Sequence, residues 1–133
     1  RRRQDSGGGD PCIEGDVVIG PTGSVKVLVA TRPVDFRKGA EGLAALVREH
    51  VGADPFGGTV FVFRNRAGTS LKLLCYDGQG FWLCTKRLSQ GRFTWWPQST
   101  DTSARLAARE VLILLWNGNP QQARMADDWK KLA

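Results

Sequence analysis

Three short apolar segments separated by glycine-containing turns place the strongest constraint on the fold of this chain. The segments are Thr59–Phe63 (TVFVF), Ser70–Tyr76 (SLKLLCY) and Phe81–Leu88 (FWLCTKRL). The stretches between them, RNRAG at 64–68 and DGQG at 77–80, have the composition of β-hairpin loops. Together they predict an antiparallel β-meander.

The second turn also predicts how two of these strands pair. If residues 78–79 form the two-residue loop, Cys75 faces Trp82 and lies only diagonal to Cys84. That register argues against a disulfide between the two cysteines. An odd number of cysteines, two of them in apolar segments, indicates buried thiols in a reducing compartment, so we expect a cytoplasmic protein.

The flanking segments add further elements. Val25–Ala30 predicts a strand, and Arg92–Trp96 a short strand that completes the meander. A helix follows the first strand, and Asp35 is a candidate for its N-cap. The apolar face of this helix consists of Leu43, Leu46, Val47 and Val51. A second helix is predicted from about Ala104 to Trp116, with Ser99, Thr100 and Asp101 as N-cap candidates and Gly118 as its stop.

These elements predict one α+β domain over residues 18–118. Its sheet is an antiparallel meander of four to five strands, with one helix after the first strand and a C-terminal helix. Residues 1–17 contain a Gly triplet and charges of both signs, and we interpret them as a disordered extension. Residues 119–133 form a C-terminal tail, in which the spacing of Met125, Trp129 and Leu132 indicates a loose helix.

Positive charge is concentrated in the middle of the chain. Residues 21–97 contain eleven Lys and Arg against five Asp and Glu, which equals the whole net charge of +6. A basic central segment with nearly neutral ends is typical of proteins that bind a polyanion such as DNA. Composition alone is equally compatible with positive charge that only keeps the protein dissolved.

The candidate nucleic-acid contacts are the basic and aromatic residues near the predicted strand ends. The phosphate-binding candidates are Arg37, Lys38, Arg64, Arg66, Lys72, Lys86, Arg87 and Arg92, and the aromatic ones are Phe93, Trp95 and Trp96. If Asp35 caps the helix, Arg37 and Lys38 fall in its first turn, where an arriving phosphate would bind them and the free N–H groups together. The alternative is that Asp35 neutralises Arg37 locally.

No set of residues is suited to catalysis. Asp35, Asp54 and Asp77 each have a structural role available as a cap or turn residue, and His50 has no partner at ligand spacing. The chain has neither a C-x-x-C pair nor a P-loop, and no apolar stretch approaches the length of a membrane span. We therefore expect no enzyme activity, catalytic residue, metal or cofactor, and no membrane partner.

Several signatures in order over Ile19 to Pro97 resemble the small accessory protein, often called TnpB, of bacterial insertion-sequence-66 transposons. They are Asp35-Phe36-Arg37-Lys38-Gly39, Asp54-Pro55 with Gly58, Phe61-Val62-Phe63-Arg64-Asn65-Arg66, Leu71-Lys72-Leu73, Tyr76-Asp77-Gly78-Gln79-Gly80, Lys86-Arg87-Leu88, and Gly91-Arg92-Phe93 with a following Trp and Pro. The chain departs from the family pattern in its first residues, in the second Trp of Trp95-Trp96-Pro97, and in a longer tail after Gly118.

The resemblance implies a protein that acts in transposition, a form of DNA recombination, beside a separate transposase that carries the acidic catalytic residues. It offers no catalytic residues to assign here, and the RNA-guided nuclease that shares the label is unrelated. The resemblance thus implies the transposase of the same element as a partner. The basic residues add transposon-end DNA, and the apolar Val111–Trp116 segment offers a surface for the transposase or a second copy of the chain.

Three functions remain open on these grounds. The first is a non-catalytic factor that binds DNA or assists transposase assembly. The second is a protein-interaction module that uses the apolar Val111–Trp116 segment and has no direct DNA contact. The third is a magnesium-dependent nuclease, whose cleavage would disappear on Asp77→Asn.

Overall fold

The computed structural model describes residues 25–122, which form a five-stranded sheet and two helices. The strands are β1 (Val27–Ala30), β2 (Val60–Arg64), β3 (Ser70–Tyr76), β4 (Phe81–Arg87) and β5 (Ser103–Leu106), and the helices are α1 (Ala40–Leu46) and α2 (Ala108–Leu115). A π-helical turn at Val47–Val51 extends α1. The predicted extension at 1–17 and the residues of the predicted tail helix lie outside the described part of the chain.

The sheet order is β4-β3-β2-β1-β5, with every neighbouring pair antiparallel except the parallel pair β1 and β2. The predicted α+β class is therefore confirmed, as is the meander β2-β3-β4. The predicted register is also confirmed, because Cys75 lies opposite Trp82 and Cys84 opposite Leu73. The parallel pair follows from α1, which carries the chain back across the sheet between β1 and β2.

Apolar side chains cover both faces of the sheet. On one face, α1 and its π-helical turn bury Leu43 and Val47 against Phe61, Phe63 and Leu74. The predicted apolar face of this helix is thus confirmed, with Leu46 and Val51 partly buried against the same cluster.

On the other face, α2 buries Val111 and Leu114 against Val62 and Leu73. Trp96 joins this second cluster and is only 5% exposed. Each face of the sheet is therefore closed by a different part of the chain.

The predicted fourth meander strand at Arg92–Trp96 is wrong. This segment has no strand structure, although the Phe93 N–H donates to the carbonyl of Gly68 at 2.9 Å. The indole N–H of Trp96 donates to the carbonyl of Ala30 at 2.8 Å, and its ring is buried. Burial of this large ring beneath the sheet outweighs a few edge hydrogen bonds, so the segment packs under the sheet instead of extending it.

The predicted helix from Ala104 begins four residues too early. Ser103–Leu106 is β5, which pairs antiparallel with β1 in the register Val27↔Leu106 to Ala30↔Ser103. The segment has helix-forming residues, but the open edge of β1 needs a partner for its backbone groups. Tertiary hydrogen bonding therefore overrides local propensity here.

The ends of α2 also differ from the expected caps. None of Ser99, Thr100 and Asp101 caps the helix, because it begins after Ala107, whose N–H donates to the Glu110 carboxylate at 2.8 Å. At the other end the left-handed residue is Asn117, with φ of 65°, rather than Gly118.

None of the helices between residues 25 and 122 has the length and apolar character needed to cross a membrane.

Candidate nucleic-acid interface

One end of the sheet collects cationic side chains from four separate segments. Because β1 and β2 are parallel, both end there, and they lead into the loop at 31–39 and the turn at 65–69. β4 ends there as well, since its last residue Arg87 lies opposite Ser70, the first residue of β3. The segment after β4 stays at this end, where the Phe93 N–H contacts the turn carbonyl of Gly68.

We call the exposed cations at this end of the sheet the basic end. Its members are Arg32, Arg37, Lys38, Arg66, Arg87 and Arg92. Five of them were predicted as phosphate contacts, and they are separated in sequence by up to 55 positions, from residue 37 to residue 92. The strand order of the sheet brings them to one end.

Arg32 is the member that sequence reasoning missed. It is exposed and lies two residues after the end of β1, with the N–H of its neighbour Thr31 donating to the Thr102 carbonyl at 3.1 Å. The signal was present in the sequence, since Arg32 comes shortly after a predicted strand, as Arg66 does after another.

A groove of about 440 Å³ opens within the basic end, between the loop after β1 and the turn after β2. It is lined by Pro33, Val34, Asp35, Phe36, Arg37, Asn65, Arg66 and Ala67. The turn side is held by Asn65, whose side-chain oxygen accepts the N–H groups of Thr69 at 2.9 Å and Ser70 at 3.1 Å. The groove therefore presents two guanidinium groups and one carboxylate.

Asp35 and Arg37 form a local ion pair in this groove. The Asp35 carboxylate accepts the backbone N–H of Arg37 at 2.9 Å, its Nε at 3.1 Å and its Nη2 at 2.8 Å. The Arg37 side chain hydrogen bond lowers the pKa of Asp35 from 3.8 to about 2, and the same contact raises the pKa of Arg37. The Arg37 side chain is still 92% exposed, so part of its guanidinium stays open to a ligand.

The prediction that Asp35 caps the helix is wrong, because α1 begins at Ala40 after Gly39, and neither Arg37 nor Lys38 lies in its first turn. Asp35 instead closes a turn on Arg37, which is the local alternative that the sequence left open. The reason is distance along the chain, since the free N–H groups of α1 start several residues beyond the reach of this carboxylate.

Two of the predicted phosphate contacts are held by backbone carbonyls. The Lys72 ammonium donates to the carbonyl of Phe36 at 2.9 Å, and its Nζ lies 4.8 Å from the centre of the Phe36 ring. Lys86 donates to the carbonyl of Leu115 at 2.5 Å, at the C-terminal end of α2, and lies 5.1 Å from the Trp116 ring centre. Both lysines are half-buried. Lys72 ties the loop after β1 to the sheet, and Lys86 ties the end of α2 to it.

Arg64 is partly enclosed where β1, β2 and the Trp-Trp-Pro segment meet. Its guanidinium lies 5.5 Å from the ring centre of Trp96, and its Nη2 is 3.5 Å from the carbonyl of Thr31. Its Nε is buried and has no hydrogen-bond partner among the described residues.

The aromatic candidates point into the protein rather than onto the basic end. Trp96 is buried, and Phe93 and Trp95 are partly buried against the same apolar cluster. Between residues 25 and 122, the exposed tryptophan is Trp116, which is 82% exposed at the end of α2 and was not among the nucleic-acid candidates.

The acidic candidates for a metal site all serve turns. Asp54 accepts the N–H of Phe56 at 2.9 Å. Asp77 accepts the N–H groups of Gln79 at 2.8 Å and Gly80 at 3.0 Å, together with the indole N–H of Trp82 at 2.7 Å. These contacts, the Gln79 one foremost, lower the pKa of Asp77. Between residues 25 and 122, no three His, Cys, Asp or Glu side chains lie close enough to hold a metal ion.

A family model matches residues 25–125, which include the whole of the region just described. The model is that of the IS66 Orf2 like proteins. The chain belongs to the IS66 Orf2-like family. The family signatures identified in the sequence fall on the loops before and after α1, on β2 and β3 with their two hairpin turns, and on the end of β4 with the segment that follows it. The family resemblance drawn from the sequence is therefore confirmed.

Two curated relatives come from Sinorhizobium fredii (strain NBRC 101917 / NGR234). The uncharacterized protein y4jC is 40% identical over 98 residues, which cover 74% of this chain and 83% of the relative. The uncharacterized protein y4hO is 47% identical over 96 residues, which cover 71% of this chain and 83% of the relative. No solved structure matches the chain significantly.

Family membership makes the protein a transposition-associated accessory protein of an insertion sequence.

Proposed function

We propose that this IS66 Orf2-like protein is a non-catalytic accessory factor that binds DNA through its basic end while a separate transposase performs the chemistry. The observation that carries the proposal is the grouping of exposed cations from four chain segments at one end of the sheet. Cations outnumber acids there. The acids are Asp35, which is paired with Arg37, Asp101, whose carbonyl accepts the Thr31 hydroxyl, and Glu41 in the first turn of α1.

Exposed cations grouped at one end of a sheet are suited to binding the phosphate backbone of DNA. Arg and Lys side chains on loops neutralise phosphates and release condensed counterions, which supplies affinity without reading sequence. Five phosphate contacts would make log K fall with log salt with a slope of about −4 to −5. Between 50 and 200 mM salt the affinity would then decrease roughly 500-fold.

Four of the predicted contacts are assigned a structural role in the proposal instead of a DNA contact, namely Lys72, Lys86, Arg64 and Trp96. Their contacts lie within the protein, where they hold the loops and α2 in place. Their substitution would therefore act on stability before it acts on DNA affinity, and they are poor choices for testing DNA contacts.

The test is binding of purified protein to transposon-end and scrambled duplexes over a salt series. We expect similar affinity for the two duplexes and a steep salt dependence. Lys38→Ala and Arg66→Ala should each weaken binding and reduce the salt slope by about 1. Lys26→Ala is the matched control, because Lys26 is an exposed cation at the opposite end of β1, and it should bind like the unchanged protein.

Three results would contradict the proposal. Absence of binding, or binding that salt does not weaken, would favour the interaction module without DNA contact. An equal effect of Lys26→Ala and Lys38→Ala would mean that only total charge matters. Magnesium-dependent cleavage of the duplex would show that the protein is catalytic.

A further inference from the structure

Trp116 is the most exposed large apolar side chain among the described residues. It is 82% exposed, while the neighbouring Leu112 is 40% exposed. Burying an indole is worth several times more than burying a small side chain, so a tryptophan held in solvent suggests a surface that takes a ligand.

The backbone around Trp116 is held firmly. Asn117 adopts the left-handed conformation with φ of 65°, and the N–H groups of Asn117 and Gly118 donate to Leu114 at 2.9 Å and Ile113 at 2.8 Å. A Cβ on Gly118 would lie 2.7 Å from a methyl carbon of Ile113, so a glycine is needed there. The helix end therefore fixes the direction in which Trp116 projects.

The same helix end is hydrogen-bonded to the segment that carries Arg92. The side-chain oxygen of Asn117 accepts the N–H of Thr94 at 2.7 Å, and its amide donates to the carbonyl of Arg92 at 3.2 Å. The Thr94 hydroxyl donates to the carbonyl of Asn117 at 3.1 Å. The platform around Trp116 is thus continuous with the basic end.

A shallow groove of about 360 Å³ lies beside the Trp116 ring. It is lined by Arg109, Leu112, Ile113, Trp116 and Gly118. Its walls are apolar, and Arg109 lies two helical turns, about 10 Å, before Trp116 along the helix axis.

The charges around this groove favour an anionic ligand over an apolar one. Three cations lie near it. The Lys86 ammonium lies over the Trp116 ring, Arg109 lines the groove, and the Arg92 carbonyl accepts the Asn117 amide. The acid on α2 is Glu110, and its carboxylate accepts the N–H of Ala107. A flat apolar surface with cations around it is the arrangement that binds unpaired nucleotides, whose bases stack and whose phosphates pair.

We propose that Trp116 is a stacking platform for an unpaired base of single-stranded DNA, with Arg92 and Arg109 contacting the phosphates beside it. The inference rests on the proposed DNA binding and adds a substrate class, because the basic end alone does not distinguish duplex from single strand. Lys86 holds the platform, since it bonds the last carbonyl of α2 and lies over the indole.

The test measures the anisotropy of labelled oligo-deoxythymidine and of a duplex of equal length with four forms of the protein. Trp116→Ala should weaken single-strand binding about 5- to 100-fold and change duplex binding much less. Trp116→Phe should restore part of the loss, because a phenyl ring also stacks. Phe56→Ala is the control, because Phe56 is also an exposed aromatic residue, at 48%, and does not line this groove, so single-strand binding should be unchanged.

The outcomes separate this inference from the proposed function. Unchanged single-strand binding by Trp116→Ala, with salt-dependent duplex binding intact, overturns the stacking platform alone. Absence of all DNA binding overturns both proposals. If Trp116→Ala abolishes self-association or transposase co-purification and does not alter single-strand binding, the face is a protein interface. Thermal unfolding of each variant checks that it is folded.

Discussion

At the scale of single residues, the cations differ mainly in whether their charged group is hydrogen-bonded to a backbone carbonyl or exposed to solvent. Lys72 and Lys86 donate to backbone carbonyls, whereas Arg66, Arg87 and Arg92 are exposed. All were equivalent in the sequence, where each was a basic residue near a strand end. The difference arises because a buried ammonium must find acceptors, while an exposed one is hydrated.

Asp35 provides a residue-scale prediction with a defined pH range. Its pKa should be about 2, and Arg37→Ala should raise the pKa because the side-chain hydrogen bond from Arg37 is the largest cause of the lowering. The pKa should stay below 3.8 in that variant, since the Arg37 backbone N–H remains as a donor. Titration of the carboxyl carbon by NMR measures both values.

The sign of the linked stability follows from the direction of this shift. A folded-state pKa below the unfolded one means that the ion pair stabilises the protein above the unfolded pKa of 3.8 and loses this effect as pH falls through 2. Because the pair is exposed, solvent and salt screen it, and the stability change should be small. A midpoint of 3.8 in the unchanged protein would contradict the observed contact.

At the scale of elements, Trp96 joins the end of β1 to the segment after β4. Its ring fills the α2 side of the core and its N–H satisfies the Ala30 carbonyl. The sequence predicted a strand here, because aromatic residues are common in strands. That preference does not indicate which aromatic side chain will be buried.

Trp96→Phe should destabilise the protein by about 2–3 kcal/mol, from the lost hydrogen bond and the cavity left in the core. Trp95→Phe is the matched control, since Trp95 is only partly buried, and should cost about 1 kcal/mol or less. Denaturant unfolding midpoints compare the two. Equal losses in the two variants would show that Trp96 has no special anchoring role.

The element boundaries show where local reasoning succeeded. The meander β2-β3-β4, its register and the buried face of α1 follow from alternation, turn residues and helical spacing within short windows. The strand at Ser103–Leu106 could not be predicted, because it exists to pair with β1, more than seventy residues earlier in the chain.

At the scale of the whole molecule, the strand order decides both stability and the basic end. The interior strands β1, β2 and β3 have hydrogen-bonded neighbours on both sides, while β4 and β5 are edges. Native-state hydrogen exchange should therefore be slowest for amides of β2 and β3, and faster for the outward-facing amides of β4 and β5.

This exchange pattern distinguishes the observed topology from the meander that the sequence predicted. With a strand at Arg92–Trp96 beside β4, the β4 amides would be protected along both edges and β1 would lie at an edge. Strong protection throughout β4 together with weak protection in β1 would contradict the order β4-β3-β2-β1-β5.

The sequence by itself determined the α+β class, the hairpins and their register, the apolar face of the first helix and the family. These properties depend on residues close together in the chain, and the family signatures lie on the strands and turns that those residues form. The tertiary structure alone decided that β5 completes the sheet, that Trp96 is buried and Trp116 exposed, and which cations remain open. The physical reason is that segments distant in the chain supply the hydrogen bonds of the strand edges and carbonyls and fill the volume of the core. The local sequence does not indicate which segment will do so.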